Sequence, residues 1–422
     1  MKRDLWRIII YASIGTVALF LVVLYGLSGV TPETATKVSY AAAAEVGGEC
    51  YDCHSEATPG ITEQYAHSKH VTRGVSCLDC HTAEVDNAAV IEHKGEEMVA
   101  QPTPQNCAQC HQAEVAQFDA SNHSARSWYA VAGAEDFTQE QLEKYQLVDE
   151  NGNPKNNGKP NVVATYEGKE SIELGCKKCH EIGKVREDGS VGNCSKCHIG
   201  HEFSVEQVRK PETCGQCHMG PDHPQIEIYE ESPHGVMYHD SGESWNWDAA
   251  PGTLTAKDME APTCATCHMS AFGGAPGTHN VGERLKWNLT PKISSQREDW
   301  QSKRANMVSV CASCHNENFT SEHFEKADKL VGIADENVKE GQDLMAELES
   351  EGLITSEPFD HPIDFTMFEL WHHEGRRARF GGMMGGPDYV QWHGIYDQKK
   401  HLTEMEEMAE ELRNKSAEQN SQ

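Results

Sequence analysis

Residues 176–180 read Cys-Lys-Lys-Cys-His, and the same C-x-x-C-H pattern occurs eight times in this chain of 422 residues. In such a pattern the two thiols bond the vinyl groups of a haem, and the histidine ligates the haem iron from the same turn of chain. Together the eight copies use all sixteen cysteines. They are numbered sites 1 to 8 in chain order: Cys50/Cys53/His54, Cys77/Cys80/His81, Cys107/Cys110/His111, Cys176/Cys179/His180, Cys194/Cys197/His198, Cys214/Cys217/His218, Cys264/Cys267/His268 and Cys311/Cys314/His315. The sequence therefore predicts a c-type cytochrome with eight covalently bound haems.

Zinc sites and disulfides are the two other common uses of closely spaced cysteines, and neither accounts for the pattern. Paired C-x-x-C knuckles bind zinc without requiring a histidine directly after every second cysteine. A disulfide framework does not restrict every cysteine to a two-residue spacing. Haem attachment explains both the spacing and the histidine that follows each copy.

The ratio of chain length to motifs constrains the fold class. Eight haems in 422 residues leave about 53 residues for each haem (422/8), and the hydrophobic fraction is 38%. Such a chain has to build its interior around porphyrin rather than around aliphatic side chains. We therefore expect a mainly α fold with many loops, a multihaem cytochrome c fold packed around eight haems, with long helices near the C-terminus.

The net charge is strongly negative, at -30 before any haem propionates are counted. This charge excludes nucleic acid as a natural partner and favours basic partners, because complementary fields speed encounter. A small basic electron-carrier cytochrome would suit. The alternative is that the acidic residues serve solubility alone.

The N-terminus holds a candidate membrane segment. Residues 8–30 form an apolar stretch of 23, preceded by Lys2, Arg3 and Arg7. About 20 apolar residues span a bilayer, and the basic flank stays cytoplasmic. We expect an N-terminal anchor that places the haem-bearing part on the periplasmic side of the cytoplasmic membrane. A cleaved signal peptide, with residues 41–44 as its small-residue cleavage site, is the alternative.

Three regions follow from this pattern. Residues 1–33 are the anchor or signal segment, 34–320 the octahaem c-type cytochrome domain, and 321–422 a C-terminal helical region that completes the active site and makes subunit contacts. Apolar residues recur at helical spacing over 321–352 and again over about 397–413. The two helices either cover the haem core or pack against a neighbouring subunit.

The distal iron ligands have to come from the remaining histidines. Eight of the 23 histidines lie in the motifs, and seven or eight more are needed, so counting cannot show whether one haem is left open. The candidates precede glycine or follow a short serine-containing stretch: His70, His93, His123, His201, His234 and His279. We expect a seventh distal ligand to be His361, His372 or His373, and we assign it to His373. A haem with two histidines passes electrons, whereas one lacking a distal ligand can bind a substrate.

Beyond the motifs, the chain resembles the octahaem hydroxylamine oxidoreductases over about residues 50–400. The resemblance lies in the spacing of the last five motifs and in five further stretches: residues 219–224 (MGPDHP), 277–284 (GTHNVGER), 304–307 (RANM), 371–379 (WHHEGRRAR) and 383–394 (MMGGPDYVQWHG).

The resemblance implies a catalytic haem at site 4, with His180 as the proximal ligand. It places an aspartate and a histidine on the open face, at Asp222 and His223. It also implies homotrimers, in which a tyrosine from a neighbouring subunit, best matched by Tyr389, is cross-linked to this haem in the oxidative members. Related members without the cross-link run in the reductive direction.

Three functions follow as hypotheses. The first is oxidation of hydroxylamine, or of hydrazine, to nitric oxide or nitrite at an open fourth haem, with electrons leaving through seven bis-histidine haems. The second is reduction of nitrite or hydroxylamine towards ammonium, with electrons from a membrane quinol partner. The third is a non-catalytic electron conduit. The basic cluster Arg376, Arg377 and Arg379 is expected to pair with haem propionates.

Overall fold

A computed structural model describes residues 40–83 and 89–421 of the chain. The chain divides into two compact units, one ending at Ser76 and the other beginning at Cys77. The predicted anchor at residues 8–30 lies outside the described residues. Within the described ranges, no helix is both long and apolar enough to cross a bilayer.

The described part of the first unit is a small helical module. It consists of α1 (Tyr40–Ala57), which bends at Gly48 (φ 54°), α2 (Pro59–His67) and a 3-10 turn at Val71–Arg73. Its core is formed by Ala43, Tyr65, Ala66 and Val71. The motif of site 1 lies on α1, after the bend.

Short helices make up most of the second unit as far as site 8, and several motifs are themselves single helical turns. The helices are α3 (Cys77–His81), α4 (Pro104–Ala108), α5 (Gln112–Asp119), α6 (Ala125–Ala132), α7 (Gln139–Lys144), α8 (Val162–Glu167), α9 (Lys169–Leu174), α10 (Cys176–His180), α11 (Val205–Arg209), α12 (Pro211–Gly215), α13 (Gln225–Glu231), α14 (Pro233–Ser241), α15 (Cys264–His268) and α16 (Trp300–Cys311). 3-10 turns lie at Lys155–Gly158, Glu181–Gly183, Cys194–Lys196 and Gly242–Ser244. Sites 2, 4 and 7 therefore each occupy one five-residue helix.

The strands described here form two short antiparallel pairs. Strand β1 (Val90–His93) pairs with β2 (Glu96–Val99), and β3 (Trp287–Asn288) pairs with β4 (Ser295–Gln296). Lys94 and Gly95, with φ 57° and 89°, form the two-residue turn of the first hairpin. Positive φ at both turn positions is the geometry that matches the twist of a hairpin.

After site 8 the chain forms two long helices, as predicted, together with three shorter ones. They are α17 (Glu317–Ser350), α18 (Pro362–Glu369), α19 (Gly375–Met384), α20 (Pro387–Val390) and α21 (Asp397–Asn420), with π-helical turns at Leu370–Glu374 and Gln391–Tyr396. The expectation of a mainly α fold with long C-terminal helices is confirmed. The proposed region boundary at residues 320/321 falls inside α17 and stays a prediction.

Apolar side chains of α17, α18 and α21 pack into one core within this region. Val338, Leu348, Ile363, Leu370 and Met405 are all fully buried there. The periodicity along α17 that predicted the helix therefore also predicted most of its buried face. Ile333 belongs to the apolar pattern of α17 but is an exception, because its side chain is exposed.

Arg379 connects α19 to α17 and to the loop between β3 and β4. Its side chain is 0% exposed, and it donates to Asp335 on α17 at 2.9 Å. It also donates to the carbonyls of Pro291 and Lys292 and to Gly375 O. The expected pairing with a haem propionate is wrong for Arg379, since protein groups occupy its donors and bury it.

Replacing Asp335 by alanine is expected to destabilise the protein by about 3 kcal/mol, because a buried charge would lose its carboxylate partner. The thermal unfolding midpoint, followed by circular dichroism, measures this change. Asp343→Ala is the matched control on the same helix, since Asp343 pairs with Lys339 at the surface. An exposed pair of this kind contributes little. Equal midpoints for the two variants would contradict the assignment.

Candidate functional site

Four motif histidines have one ring nitrogen held by an oxygen acceptor. The Nδ1 atom of His180 donates to Ser127 O at 2.7 Å, and that of His81 donates to Val99 O at 2.8 Å. His54 and His218 face side-chain oxygens of Thr58 and Gln225, at 2.7 and 3.2 Å. Such a bond fixes the tautomer and aims the opposite nitrogen, Nε2, away from the acceptor. This is the arrangement that axial iron ligation by Nε2 requires.

Four motif histidines face a second histidine that the sequence predicted as a distal ligand. The ring centroids are 6.3 Å apart for His81–His201, 5.8 Å for His123–His218, 6.5 Å for His198–His279 and 6.1 Å for His234–His315. A metal bonded to two opposed imidazoles at about 2.0 Å each separates the centroids by about 6 Å. Sites 2, 6, 5 and 8 therefore have the spacing of a bis-histidine site.

Parts of sites 1 and 3 lie at the surface of the protein chain. Cys53 of site 1 and Cys110 of site 3 are exposed, and so is His111, the predicted axial ligand of site 3. The ring of His111 is 56% exposed, with Nδ1 at 3.9 Å from Glu114 Oε2 one turn along α5. The roles of these residues in haem attachment and iron ligation stay predictions.

The surroundings of the motifs also suit an apolar macrocycle. Leu174, two residues before site 4, is 78% exposed in the protein chain. Ile199, Met219 and Phe319, which follow motif histidines, are exposed as well. Groups of large apolar side chains are rarely left exposed to solvent, and such a group usually marks a binding surface. At these positions they would line the haems, with the cysteines and histidines of the motifs as covalent and axial attachments.

Cysteines of different motifs lie close together, which shows which sites are neighbours. Three pairs lie within hydrogen-bonding reach as thiols: Cys107–Cys194, Cys179–Cys217 and Cys214–Cys264. Other cysteines lie near one another as well, among them Cys80 and Cys107, Cys197 and Cys214, and Cys267 and Cys311. Haem attachment turns these sulfurs into thioethers, so the contacts measure proximity alone. Sites 2, 3, 5, 6, 7 and 8 thus follow one another in space, and site 4 lies beside site 6.

Site 4 differs from the four paired sites. The ring of His223 stands edge-on to that of His180, at 6.5 Å and 81°. The Nδ1 atom of His223 lies 2.7 Å from a carboxylate oxygen of Asp222. The structure therefore brings together the three residues of one chain that the resemblance placed at an active site.

Two cationic or potentially cationic groups complete the environment of Asp222. Its carboxylate lies 3.9 Å from His372 Nε2 and 3.8 Å from a guanidinium nitrogen of Arg376. Burial raises the pKa of Asp222, but the hydrogen bond to His223 and the charges of the neighbours outweigh it, so that the pKa is lowered. Burial and then the charge of Arg376 lower the pKa of His372. The site therefore holds an ionised carboxylate beside a neutral His372.

The other predicted site residues occupy separate places. His93 lies exposed on β1, and His70 lies in the first unit, 3.3 Å from Ser68 Oγ. His373 lies on the π-helical turn, with its ring 5.5 Å from that of His372. Tyr389 lies on α20, with its ring 5.4 Å from that of His393 in the same chain. Their assigned roles stay predictions.

Sequence reasoning missed two contributors to this site. Arg376 was assigned to propionates, and His372 was passed over in favour of its neighbour His373. His372 lies on the wide π-helical turn over Leu370–Glu374, Arg376 lies on α19 directly after it, and both side chains reach Asp222. No local sequence signal marks this turn. The remaining candidate, His361, caps α18 by accepting a hydrogen bond from Ile363 N.

Comparison with known proteins agrees with these features. The family described as "Seven times multi-haem cytochrome CxxCH" matches residues 73–362, which is more than half of the chain. A second family, "Cytochrome c554 and c-prime", matches residues 29–82. The multihaem cytochrome character expected from the motifs is thereby confirmed.

Three proteins that this chain resembles are each less than 25% identical to it. A "Probable nitrite reductase-hydroxylamine oxidoreductase fusion protein" of Kuenenia stuttgartiensis is 24% identical over 382 residues, covering 74% of this chain and 39% of that protein. The chain thus spans well under half the length of this curated relative. A solved "Hypothetical multiheme protein" superposes with a TM-score of 0.75 at 22% identity, covering 91% of this chain and 98% of the other. A chain of a Kuenenia stuttgartiensis "reducing HAO-like protein complex" superposes with a TM-score of 0.66 at 21% identity, covering 90% of this chain and 88% of the other. These structures share the fold.

Replacing His201 by alanine is expected to convert one low-spin haem into a high-spin haem, because the face opposite His81 loses its histidine. Electron paramagnetic resonance of the oxidised protein measures the change, and the pyridine haemochrome spectrum verifies an unchanged haem content. His239→Ala is the control, since His239 is exposed on α14. A low-spin spectrum unaltered in His201→Ala would show that His201 is not a ligand.

Proposed function

Because this chain belongs to the multi-haem cytochrome CxxCH family, we propose that it is an oxidoreductase of small nitrogen compounds, with its active site at site 4. In this proposal it oxidises hydroxylamine, or hydrazine, to nitric oxide or nitrite and passes the electrons through the haems of the other seven sites. The observation that carries the proposal is the Asp222–His223 pair, which faces His180.

When bound at site 4, a c-type haem with a free axial position supplies a redox-active iron that can accept a nitrogen lone pair. The protein residues then have to handle protons. Oxidation of hydroxylamine to nitric oxide releases protons and electrons in equal number. His180, held by Ser127 O, leaves the opposite face to His223 and Asp222.

The Asp222–His223 pair suits proton acceptance. The carboxylate stays ionised, and it lies against Nδ1 of the ring, so that Nε2 is the nitrogen available to a substrate proton. An ionised carboxylate stabilises the cation that an imidazole becomes on accepting a proton, and it also fixes the ring orientation. Arg376 and His372 lie near the same carboxylate oxygen, at 3.8 and 3.9 Å.

The order of the sites supports an electron route away from site 4. Cys179 of site 4 lies against Cys217 of site 6. From site 6 the neighbours lead through sites 7 and 8 in one direction and through sites 5, 3 and 2 in the other. The first route ends at Cys314, which is exposed. An electron-carrier cytochrome would accept electrons at such an end.

The reductive alternative uses the same residues with the protons moving the other way. A protonated His223 beside an ionised Asp222 would donate to nitrite or hydroxylamine on the way to ammonium. The electrons would then come from a membrane quinol partner, near which the N-terminal anchor would hold the protein on the periplasmic side. We propose further that the chain forms homotrimers and that, in the oxidative direction, Tyr389 of a neighbouring copy cross-links to the haem of site 4.

The electron conduit is the alternative from a different class, and one distance favours it. The 6.5 Å between the rings of His180 and His223 equals that between His198 and His279. In this alternative His223 is a second axial ligand, and site 4 has no free axial position. Turnover separates the two functions, because a conduit has no substrate.

Replacing Asp222 by asparagine is expected to lower the turnover of hydroxylamine by about 100-fold to 10,000-fold, the range that positioned acid–base groups contribute. The amide keeps the size of the side chain and loses the charge that stabilises the His223 cation. The assay supplies hydroxylamine with an artificial electron acceptor, and product analysis for nitric oxide, nitrite and ammonium gives the direction.

Asp149→Asn is the control for this experiment, because Asp149 lies in an exposed turn and binds neighbouring backbone amides. Its turnover is expected to equal that of the wild-type protein. Ammonium formed with a reduced donor, and no oxidised product from hydroxylamine, would select the reductive direction. No turnover in either direction by the wild-type protein would select the conduit.

A further inference from the structure

The residues Asp222 and His223 lie at the end of a loop, residues 219–223, whose conformation has to be held by other groups. Gly220 has φ 88°, a left-handed conformation that glycine adopts without strain. Its amide donates to Glu227 Oε1 at 2.9 Å. Glu227 lies on α13, directly after the loop, so this contact is local in sequence.

A second contact holds the loop from a distant part of the chain. Arg377, on α19, donates from Nε to Pro221 O at 2.9 Å, across 156 residues of sequence. Pro221 directly precedes Asp222. A guanidinium is well suited to this use, since its planar fork binds acceptors in a fixed geometry. The position of Pro221 O is thus coupled to the position of α19.

Arg377 is in turn oriented by a buried acid. Its Nη1 atom lies 3.4 Å from Glu374 Oε1, and Glu374 is 3% exposed. The second carboxylate oxygen of Glu374 faces His401 Nδ1 at 3.3 Å, and His401 lies on the C-terminal helix α21. The hydrogen bond to Glu374 raises the pKa of His401. Glu369 and Glu404 lie on the other side of that ring, 3.7 and 3.8 Å away.

We propose that Arg377 is a positioning residue for site 4: its hydrogen bond to Pro221 sets where the Asp222–His223 pair stands, and Glu374 with His401 fixes Arg377. A contiguous set of contacts then runs from the C-terminal helix to the active-site loop. The loop-holding part stands on these contacts alone, whereas its catalytic consequence rests on the proposed function.

Burial distinguishes this arrangement from an ordinary surface ion pair. A carboxylate that is almost completely buried is costly unless it is paired, so Glu374 requires both of its partners. Arg377 consequently has little freedom to leave Pro221. The adjacent Arg376 acts differently, because it reaches the carboxylate of Asp222 itself and donates to Thr290 O.

The consequence for catalysis follows from distance. Acid–base groups act within hydrogen-bond reach of the proton that they transfer, and a displacement of about 1 Å costs on the order of 100-fold in rate. Arg377→Met removes the Nε donor and keeps an unbranched side chain that reaches about as far as Nε. Of the two hydrogen bonds described above, from Gly220 N to Glu227 and from Arg377 to Pro221 O, only the first would then hold the loop.

Hydrogen–deuterium exchange of the full-length, haem-loaded protein tests the proposal directly. Arg377→Met is expected to speed exchange in the peptide that contains Gly220 and Ile226 by about tenfold, the effect of losing a hydrogen bond to a charged donor. Turnover of hydroxylamine is expected to fall by about tenfold with little change in the half-saturating concentration. Glu374→Gln, which acts through Arg377, is expected to produce the same changes to a smaller extent.

Two further variants make the test specific. Arg413→Met is the matched control, because Arg413 lies on α21 and pairs at the surface with Glu347 and Glu351. It is expected to leave loop exchange unchanged. Arg377→Lys keeps the charge beside Glu374 but has carbon at the position of Nε, and it is expected to fall between the wild-type protein and Arg377→Met. Wild-type exchange in Arg377→Met would overturn the role of the Pro221 hydrogen bond.

The two readouts separate failure of this inference from failure of the proposed function. Unchanged loop exchange in both Arg377→Met and Glu374→Gln would overturn the positioning role whatever the activity. Faster exchange together with a wild-type protein that has no turnover would overturn the proposed function and, with it, the catalytic part of the inference. Faster exchange with lower turnover is the expected result.

Discussion

The attachment of haem within a five-residue motif is the constraint on which the rest of the structure depends. Two thioethers and one axial histidine fix a porphyrin against a single turn of chain. The acceptor bonded to Nδ1, such as Ser127 O at His180, sets the direction of the remaining nitrogen. Once these planes are fixed, the polypeptide has to run around them in short helices and loops.

The distribution of helix lengths follows from that constraint. Helices of five to nine residues dominate where the motifs lie, and apolar side chains there form separate small clusters, one around Trp128 and Tyr129 and another around Trp245 and Trp247. In the described part of the chain, the helices of 34 and 24 residues both follow the last motif. They pack against each other and against α18, and together they build an ordinary apolar core.

Within this scaffold, the imidazole pairs differ in the charges around them. At site 2 the rings of His81 and His201 are stacked within 9° and 6.3 Å apart, which suits two equivalent ligands. At site 4 the second ring is edge-on, and a carboxylate lies against its Nδ1 atom. In the proposed function, this ion pair makes site 4 the place for proton transfer, while the paired sites serve electron transfer.

The sequence predicted what is local and missed what depends on distant contacts. The motifs are covalent and local, so their positions and the helical fold could be predicted directly. His201 and His279 were recognised as candidates from their neighbours, but their partners could not be assigned, because the pairing depends on how loops close. Arg379 was misassigned, since nothing in its neighbourhood indicates that Asp335 on another helix buries it. The π-helical turn that brings His372 to Asp222 has no sequence signature.

Quantitative electron paramagnetic resonance, combined with magnetic circular dichroism of the fully oxidised protein, tests the central claim most directly. We expect one high-spin haem for each chain, with the remaining haems of the eight motifs low-spin. That high-spin signal should disappear when cyanide is added, since a free axial position binds it. A spectrum in which every haem is low-spin, and which cyanide leaves unchanged, would contradict an open site 4 and reduce the protein to an electron conduit.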